Sequence, residues 1–159
     1  MNPDCRVTSQ YHINREDEFV TIRLDGDADL AAIYDLCQTL LKDPDYHAEW
    51  PQLVDVRGIQ LGLKPGAMRP FARYVLTTYR PRVTAPIAVV IDGSMDDAFL
   101  AGIFRFVCAM PNAEVFDDYT LAIKWLLKNS FPHMDGGALP QPQDAGRHQA
   151  DEHPKQIRA

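Results

Sequence analysis

The sequence predicts an α/β fold: a mixed five-stranded sheet, mostly parallel with one antiparallel edge strand, and four helices, in the order β-β-α-β-α-β-α-β-α. Three observations predict it. PIAVVI, residues 86–91, is apolar almost throughout, the pattern of a central strand covered on both faces. From residue 30 onward, segments with helical apolar spacing alternate with short apolar runs, which requires parallel strands joined by right-handed crossovers. Before that point stand two β-rich runs with only Arg15, Glu16 and Asp17 between them, the arrangement of an antiparallel hairpin.

The elements follow in order. Residues 10–14 and 18–24 form the hairpin; in the second run Phe19, Thr21 and Arg23 alternate with Val20, Ile22 and Leu24, mixing aromatic and β-branched side chains. Apolar positions 30, 33, 36, 37, 40 and 41 give a first helix over residues 30–41, stopped by Pro44. Residues 53–56 form a short buried strand. A second helix spans 68–79, with Pro70 tolerated in its first turn and Pro81 closing it. The strand at 86–91 leads to a third helix over 94–110, ended by Pro111. A last strand at 113–116 and a helix at 118–128 complete the domain, for which Trp125 is the expected core anchor.

The chain of 159 residues thus divides into an N-terminal extension (1–8), one domain (9–128) and a tail (129–159). The tail is rich in Pro, Gly, Gln and charge, so it is expected to stay flexible for want of apolar surface to bury. No apolar run approaches the length of about 20 residues that spans a bilayer. MNPDCRVTSQ has no basic-then-apolar signal region, so the expected compartment is the cytoplasm. Cys5, Cys37 and Cys108 show no C-x-x-C spacing, which argues against a disulfide framework or zinc site. Cys37 and Cys108 are expected to pack as small apolar groups, and Met95, Met110, Phe99, Phe104 and Phe106 to belong to the core.

Several motifs resolve into structural roles. LDGDADL, residues 24–30, suggests a calcium loop, but a loop opening at Asp25 needs glycine at its sixth position and glutamate at its twelfth, where Leu30 and Leu36 stand. Asp27 or Asp29 fits an N-cap instead. GIQLGLKPG, residues 58–66, is neither a Walker A loop nor a dinucleotide fingerprint. It could bind an anion through backbone N–H groups at the start of the following helix. DGSMDD, residues 92–97, departs from the Gly-x-Ser-x-Gly nucleophile elbow, and Ser94 with Asp97 reads as a helix cap. The five histidines show no i, i+4 pairing. No catalytic set, metal ligands or cofactor motif is found, and the expectation is a protein that is not an enzyme.

Net charge is −6, which gives no reason to expect nucleic-acid binding. The mean conceals a segregation. Residues 56–91 contain no acid and carry Arg57, Lys64, Arg69, Arg73, Arg80 and Arg82, a charge of +6 against −12 for the rest. At 100° per residue, Arg69, Arg73 and Arg80 share one face of the second helix. Such a row suits phosphate, carboxylate or an acidic protein surface. It could equally pair with the chain's own acids at residues 43–49, or with a second copy in a homodimer.

The element order, with the strand EFVTIRLDGDA entering a helix that ends LLKDPDY, then LVDVRG, PIAVVI and the closing EVFDDYTLAIKWLL, resembles the STAS fold, in particular its SpoIIAA-like branch, over about residues 8–128. The resemblance implies interaction with a partner rather than catalysis. In anti-sigma-factor antagonists of this family a phosphorylatable serine stands after the third strand, at the start of the second helix. The corresponding stretch here has no Ser or Thr from residue 54 through 76, so that switch is not expected. The expected function is a regulatory binding domain that meets a protein partner or small anionic ligand through Arg57, Lys64, Arg69, Arg73 and Arg80. The fold is also shared with lipid-carrying domains. The alternative is therefore a carrier of a lipid or other apolar ligand, in a pocket of Phe71, Val75, Phe99 and Ile103 between the second and third helices.

Overall fold

The computed structural model describes residues 8–27, 29–60, 68–95 and 97–130. Lys64, the N-terminal extension through residue 7 and the tail from residue 131 lie outside the described residues.

Strands β1 (Thr8–Asn14) and β2 (Phe19–Asp27) form the predicted antiparallel hairpin, in a register that sets Tyr11 opposite Ile22 and Asn14 opposite Phe19. Its turn is organised by one side chain: Asn14 Oδ1 accepts from the backbone N–H of Glu16 and Asp17 at 3.0 and 3.1 Å. Glu18 then takes φ 52°, a left-handed conformation uncommon for a non-glycine residue. β3 (Gln52–Asp55), β5 (Ile87–Val90) and β6 (Ala113–Phe116) add in parallel, giving the order β1-β2-β3-β5-β6 with β1 at one edge. A sixth strand was not anticipated. β4 (Ile59–Gln60), only two residues long, lies at the start of the expected loop and pairs in parallel with Gly26 and Asp27 of β2. Two residues are too short for any periodicity to show.

Side chains alternate between the two sheet faces. Val20, Ile22, Leu24, Val54, Ile87 and Val89 point to one side, into the main core with α1 (Leu30–Lys42), α2 (Met68–Tyr74) and α3 (Asp97–Ala109). Leu53, Ala88 and Val90 point to the other, where α4 (Tyr119–Ser130) covers them with Ala122 and Leu126. This is why all four residues of β5 are buried. Trp125 is half-buried on this second face, its ring centroid 5.6 Å from that of Phe116.

Helix α1 is capped by Asp29, whose carboxylate accepts from the Ala32 N–H at 2.7 Å. Asp118 serves α4 in the same way, accepting from Leu121 N–H at 2.9 Å. Ser94 does not begin the third helix: its hydroxyl and amide both donate to Asp92 Oδ1, at 2.5 and 2.9 Å, in a turn that precedes α3. Aspartate two residues upstream offers a closer acceptor than the helix end. Cys108 and Phe104, expected in the core, are exposed on α3, because the sheet side of that helix is taken by Phe99, Ile103 and Met110.

The second helix departs most from expectation. It is α-helical only through Tyr74; residues Val75–Tyr79 form a π turn and Arg80–Arg82 a 3₁₀ turn. The Arg80 N–H donates to the Val75 carbonyl, five residues back. Pro81 has no N–H with which to continue an α-helical ladder, and the Thr77 hydroxyl donates to the Arg73 carbonyl at 2.8 Å, a contact that bends helices.

Candidate binding site

Between the sheet and the three helices of the main face lies a cavity of about 90 Å3. Its floor is built by Ile22, Leu24, Val54, Val56 and Val89 from the parallel strands and the turn after β3. Helix α1 contributes Ile33, Leu36 and Cys37; α2 with its π turn contributes Met68, Phe71, Val75 and Tyr79; α3 contributes Phe99, Gly102, Ile103 and Phe106. No charged side chain is among them. The floor is mostly buried, whereas Leu36, Met68, Phe71 and Phe106 are half-buried. All four of the sequence-derived pocket residues, Phe71, Val75, Phe99 and Ile103, line this one space.

Two lining residues bear polar atoms. Burial pushes the Cys37 thiol up to about 12, so it stays protonated and acts as a small apolar group. The Tyr79 hydroxyl donates to Gln52 Oε1 at 2.6 Å, and Gln52 Nε2 in turn donates to the Tyr46 hydroxyl at 2.9 Å. Burial holds the Tyr79 phenol well above its usual value and pushes Tyr46 up to about 12. The hydrogen-bonding capacity at this end of the cavity is thus spent within the chain, which leaves the space itself apolar.

The basic residues do not form one surface. Arg57 is tied to Asp55 by two parallel bonds, Nε to Oδ1 at 2.9 Å and Nη2 to Oδ2 at 2.8 Å, and its guanidinium stands 5.3 Å from the centre of the Tyr119 ring. Asp55 follows Val54 and so points to the α4 side; the Arg57 fork, chiefly, holds its carboxyl below the usual range. Arg57 therefore lies across the sheet from α2 and is already neutralised. The expectation that it acts together with the arginines of α2 is corrected, because sequence adjacency does not say which sheet face a side chain takes. Arg69 and Arg73, four apart in α2, share a helix face and are exposed. Arg80 is exposed as well, but the π turn intervenes, so counting 100° per residue does not carry from Arg69 to Arg80. None of the three makes an ion pair among the described residues, where the bridges are Arg15–Asp45, Arg23–Asp25 and Arg57–Asp55. The acids at residues 43–49 do not pair with them: Asp45 bridges Arg15, and Asp43 accepts from the Tyr11 hydroxyl at 2.7 Å.

At the carboxyl ends of the parallel strands, Asp25, Asp55 and Asp92 come to one rim, each already partnered by Arg23, Arg57 and Ser94 respectively. Among the described residues no group of three His, Cys, Asp or Glu is placed to hold a metal ion. No helix among them is long and apolar enough to cross a membrane.

No protein-family model matches the sequence, and no curated protein matches it. Among solved structures, the chain is similar to an anti-sigma factor antagonist from Mycobacterium paratuberculosis, with a TM-score of 0.50, 12% identity, and coverage of 80% of this chain and 99% of that one. A second similar structure is an uncharacterized protein from the DUF3478 family with a SpoIIAA-like fold from Shewanella loihica, with a TM-score of 0.46, 16% identity and coverage of 76% and 93%. The fold is the STAS, SpoIIAA-like fold that the element order resembles.

Proposed function

We propose that this chain is a non-enzymatic regulatory domain that binds an acidic protein partner through the exposed face of α2. The observation that carries the reading is the pair Arg69 and Arg73: exposed, one turn apart, and without a carboxylate partner among the described residues, while Arg57, across the sheet, is satisfied by Asp55. Two guanidinium forks on one helix face match surface carboxylates in spacing and charge. Arg80, beyond the π turn, is exposed as well. The likeness in fold to an anti-sigma factor antagonist supports a role in protein contact. With no Ser or Thr from 54 through 76, regulation at this surface depends on what docks there and not on serine or threonine phosphorylation of the loop.

The test is capture from a lysate of the source cells with the native chain, an Arg69→Glu/Arg73→Glu variant and an Arg57→Glu variant. A defined protein is expected on the native chain and on Arg57→Glu, weakened by raised salt, and absent from Arg69→Glu/Arg73→Glu. Retention by the doubly reversed variant at low salt sinks the reading.

A further inference from the structure

We infer that the cavity between the sheet, α1, α2 and α3 is a binding site for a small, neutral, apolar ligand of about single-ring size. This goes beyond the arginine surface, since it uses the buried face of α2 rather than the exposed one.

The chemistry of the walls sets the ligand class. With no charge in the lining, and with the Tyr79 hydroxyl already committed to Gln52, a charged or strongly hydrogen-bonding compound would lose its hydration without replacement. A hydrocarbon-like compound loses nothing on entering. The volume sets the size. An apolar cavity of about 150 Å3 stays dry and admits benzene or xenon; here the fixed space is about 90 Å3, so an occupant of that size needs a wall that yields.

Met68 is such a wall. A Cβ placed on Gly102 would stand 2.5 Å from Met68 Cε, 3.5 Å from its Sδ and 3.6 Å from its Cγ. The thioether of α2 is folded into the gap left by the missing side chain on α3. Methionine is unbranched and takes up several shapes at low cost. Swinging it away from Gly102 adds its volume to the cavity without moving a strand or helix. Cys37 on α1 is small in the same way, and a larger residue there would fill the space from inside the chain.

The test is titration of the full-length chain with benzene, followed through the methyl NMR signals of Ile33, Val75 and Ile103 and through thermal stability, with benzoate as the charged counterpart. Saturable shifts of those methyls, a rise in Tm with benzene, and no response to benzoate are expected. In Cys37→Leu, and independently in Val75→Leu, the benzene response is expected to disappear while signal dispersion shows a folded protein; having two filling variants guards against one that does not fold. An unsaturable or absent response in the native chain overturns the inference. So does an undiminished response in a folded filling variant, or equal binding of benzoate.

Discussion

Tyr79 donates its hydroxyl proton to Gln52 across 2.6 Å in the interior, joining the π turn after α2 to the first residue of β3. Gln52 is fully buried, and its amide is satisfied at both ends, by Tyr79 and by Tyr46. Tyr79→Phe strands Gln52 Oε1 without a donor, which is expected to lower stability by about 1–3 kcal/mol. Urea denaturation should show the loss as a lower midpoint at constant slope. Adding Gln52→Leu to Tyr79→Phe should recover part of it, since the orphaned acceptor is then gone. Full additivity of the two losses would show that the pair is not coupled.

A Cβ on Gly58 would collide with the carboxylate of Asp25, which Arg23 holds at 2.5 Å. The Gly58 carbonyl accepts from the Gly26 N–H at 2.9 Å in this close approach, so the backbone has little room to retreat. Gly58→Ala is expected to cost about 1–3 kcal/mol through overpacking. The cost should largely vanish in Asp25→Ala/Gly58→Ala, measured by thermal denaturation of the four proteins of the cycle. Equal penalties with and without Asp25 would place the strain elsewhere.

Cys37 and Tyr46 are raised from 9.0 and 10.0 to about 12 by burial. The folded chain therefore keeps protons that the unfolded chain releases, and stability should fall as pH rises from about 9 towards 12. Cys37→Val is expected to blunt the start of this decline. In a Cys5→Ser/Cys108→Ser background, the remaining thiol should resist a charged disulfide reagent until urea opens the chain. Rapid reaction of the native protein would contradict the burial of Cys37.

Asp43, Asp55 and Asp92 are all held below the ordinary carboxylate value of 3.8, by the Asp45 backbone N–H, the Arg57 fork and the Ser94 hydroxyl as first causes. A depressed native pKa gives stability that is present above about 3.8 and lost as pH falls through the native value. Tm is therefore expected to drop below pH 4, and Asp55→Asn should show a shallower drop than the native chain. An unchanged slope in Asp55→Asn would remove the Arg57 pair from the account.

The sheet and its order were legible because they rest on strong local signals. PIAVVI could only be a strand buried on both sides, and the aspartates at 27 and 29 marked the start of the first helix. What escaped was set by contacts distant in sequence. Nothing within Ile59–Gln60 marks a strand; its partner, Gly26–Asp27, lies in β2. Ser94 looked like a cap, and the closer acceptor Asp92 took its proton. The arginines formed one cluster along the chain, yet Val54 and Asp55 alternate across the sheet and send Arg57 to the opposite side from α2. Phe71, Val75, Phe99 and Ile103 line one space because α2 with its π turn and α3 turn their apolar sides inward over the sheet. Met68 and Gly102 lacked any comparable signal, since flexibility and small size leave no periodic trace.

The space beneath α2 also has a mechanical meaning. Compression favours whichever state of a molecule occupies less volume, and unfolding eliminates internal voids, with volume changes of about −20 to −100 mL/mol in ordinary proteins. Where the roughly 90 Å3 of apolar space beneath α2 stays dry, it adds to the chain's susceptibility to hydrostatic pressure. An occupant of the cavity would remove that contribution, so the same protein should be more barosensitive when empty than when filled.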